Sequence, residues 1–162
     1  MTGTRWPEPV ERVAAVLRAA AVEARVEEFP AGTPTAREAA EAVGCELSQI
    51  VKSLVFVCDG AYVLALVPGD RRADEAALAA ALPAERVRVA TADEVRRATG
   101  FEPGGVAPFP QRAVTQTLID PSLLRHDVVW IGAGTDAHMA SLPPADLQRL
   151  TEARGVDLVG GG

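Results

Sequence analysis

The chain has 162 residues and a mass of 16.9 kDa, with 48% hydrophobic residues, enough for one substantial core in one domain. Its net charge of -6 and pI near 4.9 argue against a protein that grips nucleic acid mainly by neutralising phosphates, so any nucleic-acid contact is expected to be small or weak. Cys45 and Cys58 show no CxxC spacing, no signal peptide opens the sequence, and no apolar run reaches the ~18 residues of a membrane span; a cytoplasmic protein without membrane contact is expected.

After a lead over residues 1–9, Val10, Val13, Ala14, Val16, Leu17, Ala20 and Ala21 recur at helical spacing with Glu11, Arg12, Arg18 and Glu23 between them. VEEF (26–29) reads as a short strand. In TARE (35–38) a threonine hydroxyl and a glutamate can satisfy each other's orphan backbone donors, which opens a second helix over about 36–43 with Gly44 at its end. SLVFVC (53–58), Asp59-Gly60 and AYVLALV (61–67) predict a hairpin on a two-residue type I′ turn. Both strands are apolar at nearly every position, so both faces are expected to be covered. DEAALAAAL (74–82) is helical, ERVRVA (85–90) a strand, and TADE (91–94) a capping box opening a helix that Gly100 ends. FEPGGVAPFP (101–110) is too rich in proline and glycine for helix or strand and must be a shaped loop, expected to act as a rigid turn on flexible joints. AVTQTLID (113–120), DVVWIGAG (127–134) and HMASL (138–142) read as strands, PADLQRLT (144–151) as a closing helix, and residues 153–162 as a flexible tail. The expectation is an α+β fold in one domain over residues 10–152, with a mixed, strongly curved, partly barrel-like sheet of about six or seven strands surrounded by about four helices.

Within IVKSLVFVC (50–58), Lys52 is the only lysine among the chain's 16 lysines and arginines. A lysine at a strand entry can lay its stem on apolar surface and reach water with its ammonium, but arginine would do so equally well. What lysine adds is a compact point charge whose pKa falls readily on burial, suited to one oxyanion or hydroxyl in a tight pocket. In GGVAP (104–108), Gly104 and Gly105 let the backbone approach a ligand and aim N–H groups at an oxygen, while Pro108 stiffens the exit. GAGTDA (132–137) follows a strand, but Pro143 and Pro144 arrive too soon for the helix of a dinucleotide fingerprint, so it reads as a turn. His126 and His138 lack partners at metal-ligand spacing, and no metal or cofactor is expected. His138 reads as either a proton shuttle or a hydrogen-bonded structural histidine.

The order of these motifs, VKSLVF, a hairpin, TGFEPGGVAP and then WIGAGT, resembles the YbaK/EbsC family of freestanding aminoacyl-tRNA deacylases, related to the editing domain inserted in bacterial prolyl-tRNA synthetases. The likeness runs from about Val10 to Leu150. It implies a mixed sheet wrapped into a partly open barrel, and hydrolysis of the ester joining a wrong amino acid to the terminal adenosine of a tRNA. By the same resemblance Lys52 is implied to hold that adenosine and polarise the reacting centre. The loop Gly104, Gly105, Val106, Ala107 and Pro108 is implied to bind the aminoacyl carbonyl, and Phe29, Ser53, Gly132 and His138 to line the pocket. The implied partners are the aminoacyl-tRNA acceptor end, touched weakly and transiently, and prolyl-tRNA synthetase; the implied substrate is tRNA-Pro carrying a small amino acid such as alanine or cysteine. An activated ester needs little beyond an oriented water or substrate hydroxyl and an oxyanion site, which fits a sequence without a triad. The competing reading is a catalytically silent module that binds an amino acid or aminoacyl-nucleotide, or docks on a synthetase; Lys52 with an intact GxxxP loop favours the enzyme.

Overall fold

The computed structural model describes residues 6–33 and 35–159, among which the chain forms five α-helices and eight strands in two sheets. The helices are α1 (Glu8–Ala19), α2 (Ala36–Val43), α3 (Glu75–Ala81), α4 (Ala92–Thr99) and α5 (Pro144–Thr151). The strands are β1 (Arg25–Glu28), β2 (Val51–Cys58), β3 (Ala61–Pro68), β4 (Val87–Val89), β5 (Val114–Ile119), β6 (Val129–Gly132), β7 (His138–Leu142) and β8 (Arg154–Gly155). No helix among the described residues is long and apolar enough to cross a membrane.

Local chemistry sets the element ends. α2 begins where the Thr35 hydroxyl accepts the Glu38 N–H at 3.1 Å and ends at Gly44, whose φ of 74° is a left-handed conformation that glycine adopts without strain. α4 carries the full reciprocal box between Thr91 and Glu94. β2 and β3 pair from Cys58↔Ala61 to Val51↔Pro68 around Asp59-Gly60, where both φ values are positive as a type I′ turn requires.

β4 extends the hairpin antiparallel along the end of β2, while β5 adds parallel to β3 and β8 parallel to β5, giving the order β4-β2-β3-β5-β8. The second sheet is antiparallel, with β7 between β1 and β6. The two sheets touch through a bridge of Ile50 to Trp130. Two sheets therefore replace the single curved sheet expected, with eight strands for six or seven and five helices for four. β8 and the 3₁₀ turns at Leu47–Gln49 and Pro121–Arg125 are too short to show a period of their own.

The hairpin divides the interior. Val51, Val55, Leu64 and Leu66 on one face pack with Val13, Leu17, Phe101, Phe109, Ile131 and Leu147. Phe56, Cys58, Val63, Ala65 and Val67 on the other pack with Leu78 and Leu158. Both faces are covered, as the apolar strands predict.

Residues 153–159 are not a flexible tail, and residues 160–162 lie outside the described ones. Leu158 is fully buried, its N–H donates to the Asp120 carboxylate at 2.9 Å, and its carbonyl accepts the Asp74 N–H at 2.7 Å. Asp120 is 3% exposed and also receives the Ser122 N–H at 3.2 Å. Asp120→Ala leaves the Leu158 N–H without an acceptor beside the core, and is expected to cost about 2–4 kcal/mol. The measurement is the urea midpoint, which should fall with an unchanged m-value; an unmoved midpoint would show that the segment adds nothing to the fold.

Candidate functional site

A cavity of about 390 Å³ opens at the N-terminal end of β2. Its walls are Ile50 to Leu54, Gly104 and Val106 of the loop, Gly132 and Met139 from β6 and β7, and Thr33, Thr35, Ala36 and Ala39 around the start of α2. A larger cavity, about 500 Å³, lies between Phe109–Gln111, β5 and the end of α5, and includes Pro108 but no other candidate residue. The smaller cavity is the site with chemistry, because Lys52 and the glycine loop meet there.

Lys52 is half-buried, and its ammonium donates to the Arg71 carbonyl. The turn that presents this carbonyl is fixed by the Gly69 N–H on the Ile50 carbonyl at 2.7 Å and the Arg71 N–H on the Pro68 carbonyl at 3.2 Å. A side chain at position 69 would not fit, since a Cβ would lie 2.7 Å from the Leu47 carbonyl oxygen. Desolvation pulls the Lys52 pKa below the ordinary lysine value, with Asp70 opposing the shift and Arg72 adding to it. Next along β2, the Ser53 Oγ is buried without a hydrogen-bond partner among the described residues. An orphaned buried hydroxyl costs roughly 1–3 kcal/mol, and its place on a cavity wall points to a ligand as its partner.

The 101–110 loop is pinned at its joints. Phe101, Ala107 and Phe109 are buried, the Arg12 guanidinium donates to the Gly100 carbonyl at 2.9 Å, and it lies 4.6 Å over the Phe101 ring. Only Glu102 to Gly104 stand exposed, so the flexible joints expected from the glycines and prolines are packed instead. Gly104 has a φ of 88° with open space where a Cβ would be. The Gly105 N–H donates to the Glu102 carbonyl at 2.9 Å, and a Cβ on Gly105 would lie 2.9 Å from the Thr135 Cα. Gly105 therefore packs the loop on the 132–137 turn and is not the donor to a substrate carbonyl, a correction to the sequence reading. Among the described residues the Gly104 and Val106 N–H groups have no partner, and both residues border the cavity.

Ala107 is fully buried and its carbonyl accepts the Gln111 amide at 2.8 Å, so with Pro108 it supports the loop from behind. Gly132 meets the loop directly: a Cβ there would lie 2.8 Å from the Val106 carbonyl oxygen. Phe29 packs behind the wall with Ala39, Ile50 and Met139. His138 is not on the wall. It alternates with Met139 along β7, is 5% exposed, holds its Nδ1 2.6 Å from the Thr135 hydroxyl, and meets the Trp6 ring edge-on at 5.7 Å. The hydrogen-bonded structural histidine is the reading this placement supports. The GAGTDA turn leads into β7 and not into a helix, which leaves a pyrophosphate no helix terminus.

The wall residues outside the sequence-based candidates are Thr33, Thr35, Ala36, Ala39, Ile50, Val51, Leu54 and Met139. Strand alternation in HMASL already sets Met139 opposite His138. Which of the two turns toward Lys52 depends on how β7 lies in its sheet, and that is not local information.

Residues 30–150 match the model of the aminoacyl-tRNA editing domain family. The chain is 32% identical over 127 residues to the uncharacterized protein YwhH of Bacillus subtilis, covering 78% of this chain and 80% of YwhH. It is 32% identical over 130 residues to the proline–tRNA ligase of Trichlorobacter lovleyi, covering 79% of this chain but 23% of the ligase. A solved structure, provisionally described as a trans-editing enzyme for prolyl tRNA synthetase, superposes with a TM-score of 0.89 at 38% identity, covering 97% of this chain and 100% of that one.

Proposed function

The chain belongs to the family of aminoacyl-tRNA editing domains, and from that premise we propose that it is a trans-editing hydrolase removing a small, wrongly attached amino acid from tRNA, foremost alanine or cysteine from tRNA-Pro. The observation that carries this is the convergence, on one cavity, of Lys52, the unpartnered Ser53 hydroxyl and the two uncommitted N–H groups of Gly104 and Val106. The ester carbonyl oxygen sits at those N–H groups, which stabilise the negative charge it gains when water attacks the carbonyl carbon. The bond to the ribose oxygen then breaks, that oxygen takes up a proton, and the free amino acid departs. Lys52, with one donor on Arg71, has others to turn toward the ribose and its phosphate. The tRNA contact is confined to the acceptor end, consistent with a net charge of -6, and a prolyl-tRNA synthetase beside it supplies the rest of the grip. The cytoplasm is the compartment where such a substrate is met.

The cavity wall is apolar at Ala36, Ala39, Ile50, Val106 and Met139, which favours a small side chain. One methylene changes discrimination by about 10–200-fold in such a pocket. Alanyl-tRNA-Pro is therefore expected to be deacylated at least about tenfold faster than prolyl-tRNA-Pro or a phenylalanyl ester. The test is a screen of purified protein against tRNAs charged with alanine, cysteine, serine, proline and phenylalanine. Faster release of phenylalanine than of alanine would sink the pocket assignment. Binding of aminoacyl-adenosine without hydrolysis of any ester would favour the silent module.

A further inference from the structure

Between the bridge of Ile50 to Trp130 and the bond from the Ala90 N–H to the Val55 carbonyl at 3.0 Å, no strand among the described residues pairs with the outer edge of β2. The bond at Val55 fixes which groups face that edge. Along a strand in an antiparallel ladder the backbone groups alternate in direction, so those of residues 51, 53 and 55 point outward and those of the even-numbered residues point to β3. The Gly69 N–H on the Ile50 carbonyl at 2.7 Å, on the β3 side, agrees with this phase. Ser53 thus offers its N–H and its carbonyl side by side to the cavity. Val51 packs with one core face while Leu54 packs with the other, yet Val51 to Leu54 all line the cavity, so it wraps the edge of the strand and not one face. Residues 51 to 55 span only about 13 Å at 3.3 Å per residue, and Trp130 and Ala90 close both ends. That stretch is too short to seat a docking strand, and long enough for a flat heterocycle with its sugar.

We propose that this open edge reads the base of the terminal nucleotide as adenine, with the Ser53 N–H donating to N1 and the Ser53 carbonyl accepting from the exocyclic N6 amine. The proposal rests on the hydrolase reading, which places the ribose near Lys52 and the ester at Gly104. Hypoxanthine and guanine present a donor at N1 and an acceptor at O6, so each meets a like group on the strand and leaves it unsatisfied.

The probes are 3′-alanylamino-3′-deoxyadenosine, whose amide resists cleavage, and its hypoxanthine and unsubstituted purine counterparts, titrated calorimetrically into the full chain and tested as inhibitors of alanyl-tRNA deacylation. The adenine compound is expected to bind at least about tenfold tighter than either counterpart, the factor one hydrogen bond commonly supplies. It should also slow exchange of the Ser53 amide while leaving the Leu54 amide, already in the β3 ladder, unchanged. Equal affinity for the three compounds, an unprotected Ser53 amide in the bound state, or no binding by a chain that still deacylates would each overturn base reading while the hydrolase reading stands. A chain that neither binds the compounds nor deacylates any mischarged tRNA would overturn the hydrolase reading, and base reading with it.

Discussion

Lys52→Arg is expected to lower kcat/KM for deacylation by at least about a hundredfold while moving Tm by no more than about 4 °C. The change keeps the charge, and arginine is the cation this chain carries at every other basic position. In the structure, however, Lys52 lines the cavity, its ammonium is half-buried and donates to the Arg71 carbonyl, and it feels the charges of Asp70 and Arg72. A guanidinium is larger and planar, and its donors point along fixed directions, so satisfying Arg71 would displace the remaining N–H groups from the ribose. A misplacement of ~1 Å costs about a hundredfold in rate. Lys52→Ala should be as inactive and also removes the hydrogen bond from the ammonium to the Arg71 carbonyl, a stability loss of about 1 kcal/mol that a chain of this size registers as roughly 2–4 °C. An arginine variant keeping more than about a tenth of the activity, a loss of only 1.4 kcal/mol, would refute the catalytic role.

The same residue gives a signed pH effect. Burial lowers the pKa of Lys52 in the folded state below the ordinary lysine value of 10.5. In the window just below 10.5 the unfolded chain then binds more protons than the folded one, so this group makes stability rise with pH there. Relative to Lys52→Ala, the wild-type chain should gain stability across that window; parallel stability curves would show that the ammonium is not desolvated.

Lys52 could be found from the sequence because composition isolated it, and the hairpin because Asp59-Gly60 and two apolar strands agree at every level. The Thr35 N-cap located α2 and the Thr91–Glu94 capping box α4 for the same reason: this chemistry lies within four residues, although at α2 the Glu38 carboxylate accepts the Thr35 hydroxyl and not its backbone N–H. What failed was non-local. The loop glycines announced a backbone that approaches a ligand, but which N–H is free depends on the turn, and here the Glu102 carbonyl takes that of Gly105. His138 is close to Gly132 along the chain, yet strand alternation and the Trp6 contact turn it to the other face. Leu158 stands with Val156 and Val159 in a stretch too short to show a period; the apolar cluster it joins and the buried Asp120 carboxylate that takes its N–H, brought beside it by β5 and β8, are both non-local.

The contact between Gly132 and the loop yields the other large effect. Gly132→Ala is expected to reduce kcat about a hundredfold with KM changed less than about threefold. The added Cβ would stand 2.8 Å from the Val106 carbonyl oxygen, so one side must yield. β6 is the worse candidate, because Gly132 is paired with Met139 and the next residue, Ala133, donates to the His138 carbonyl at 3.0 Å. The loop must shift instead, and with Phe101, Ala107 and Phe109 sunk in the core the displacement concentrates at Gly104 to Val106, the arc that the proposed reaction assigns to the ester carbonyl. Lys52 and the β2 edge do not move, so binding of the nucleoside should persist while the oxyanion loses its donors. Gly155→Ala is the control, since its Cβ would meet nothing closer than 3.9 Å and it lies away from the cavity. A Gly132→Ala enzyme with unchanged kcat would mean that the Gly104–Val106 arc does not touch the reacting carbonyl. A parallel rise in KM and fall in kcat would mean that the loop holds the amino acid rather than the transition state.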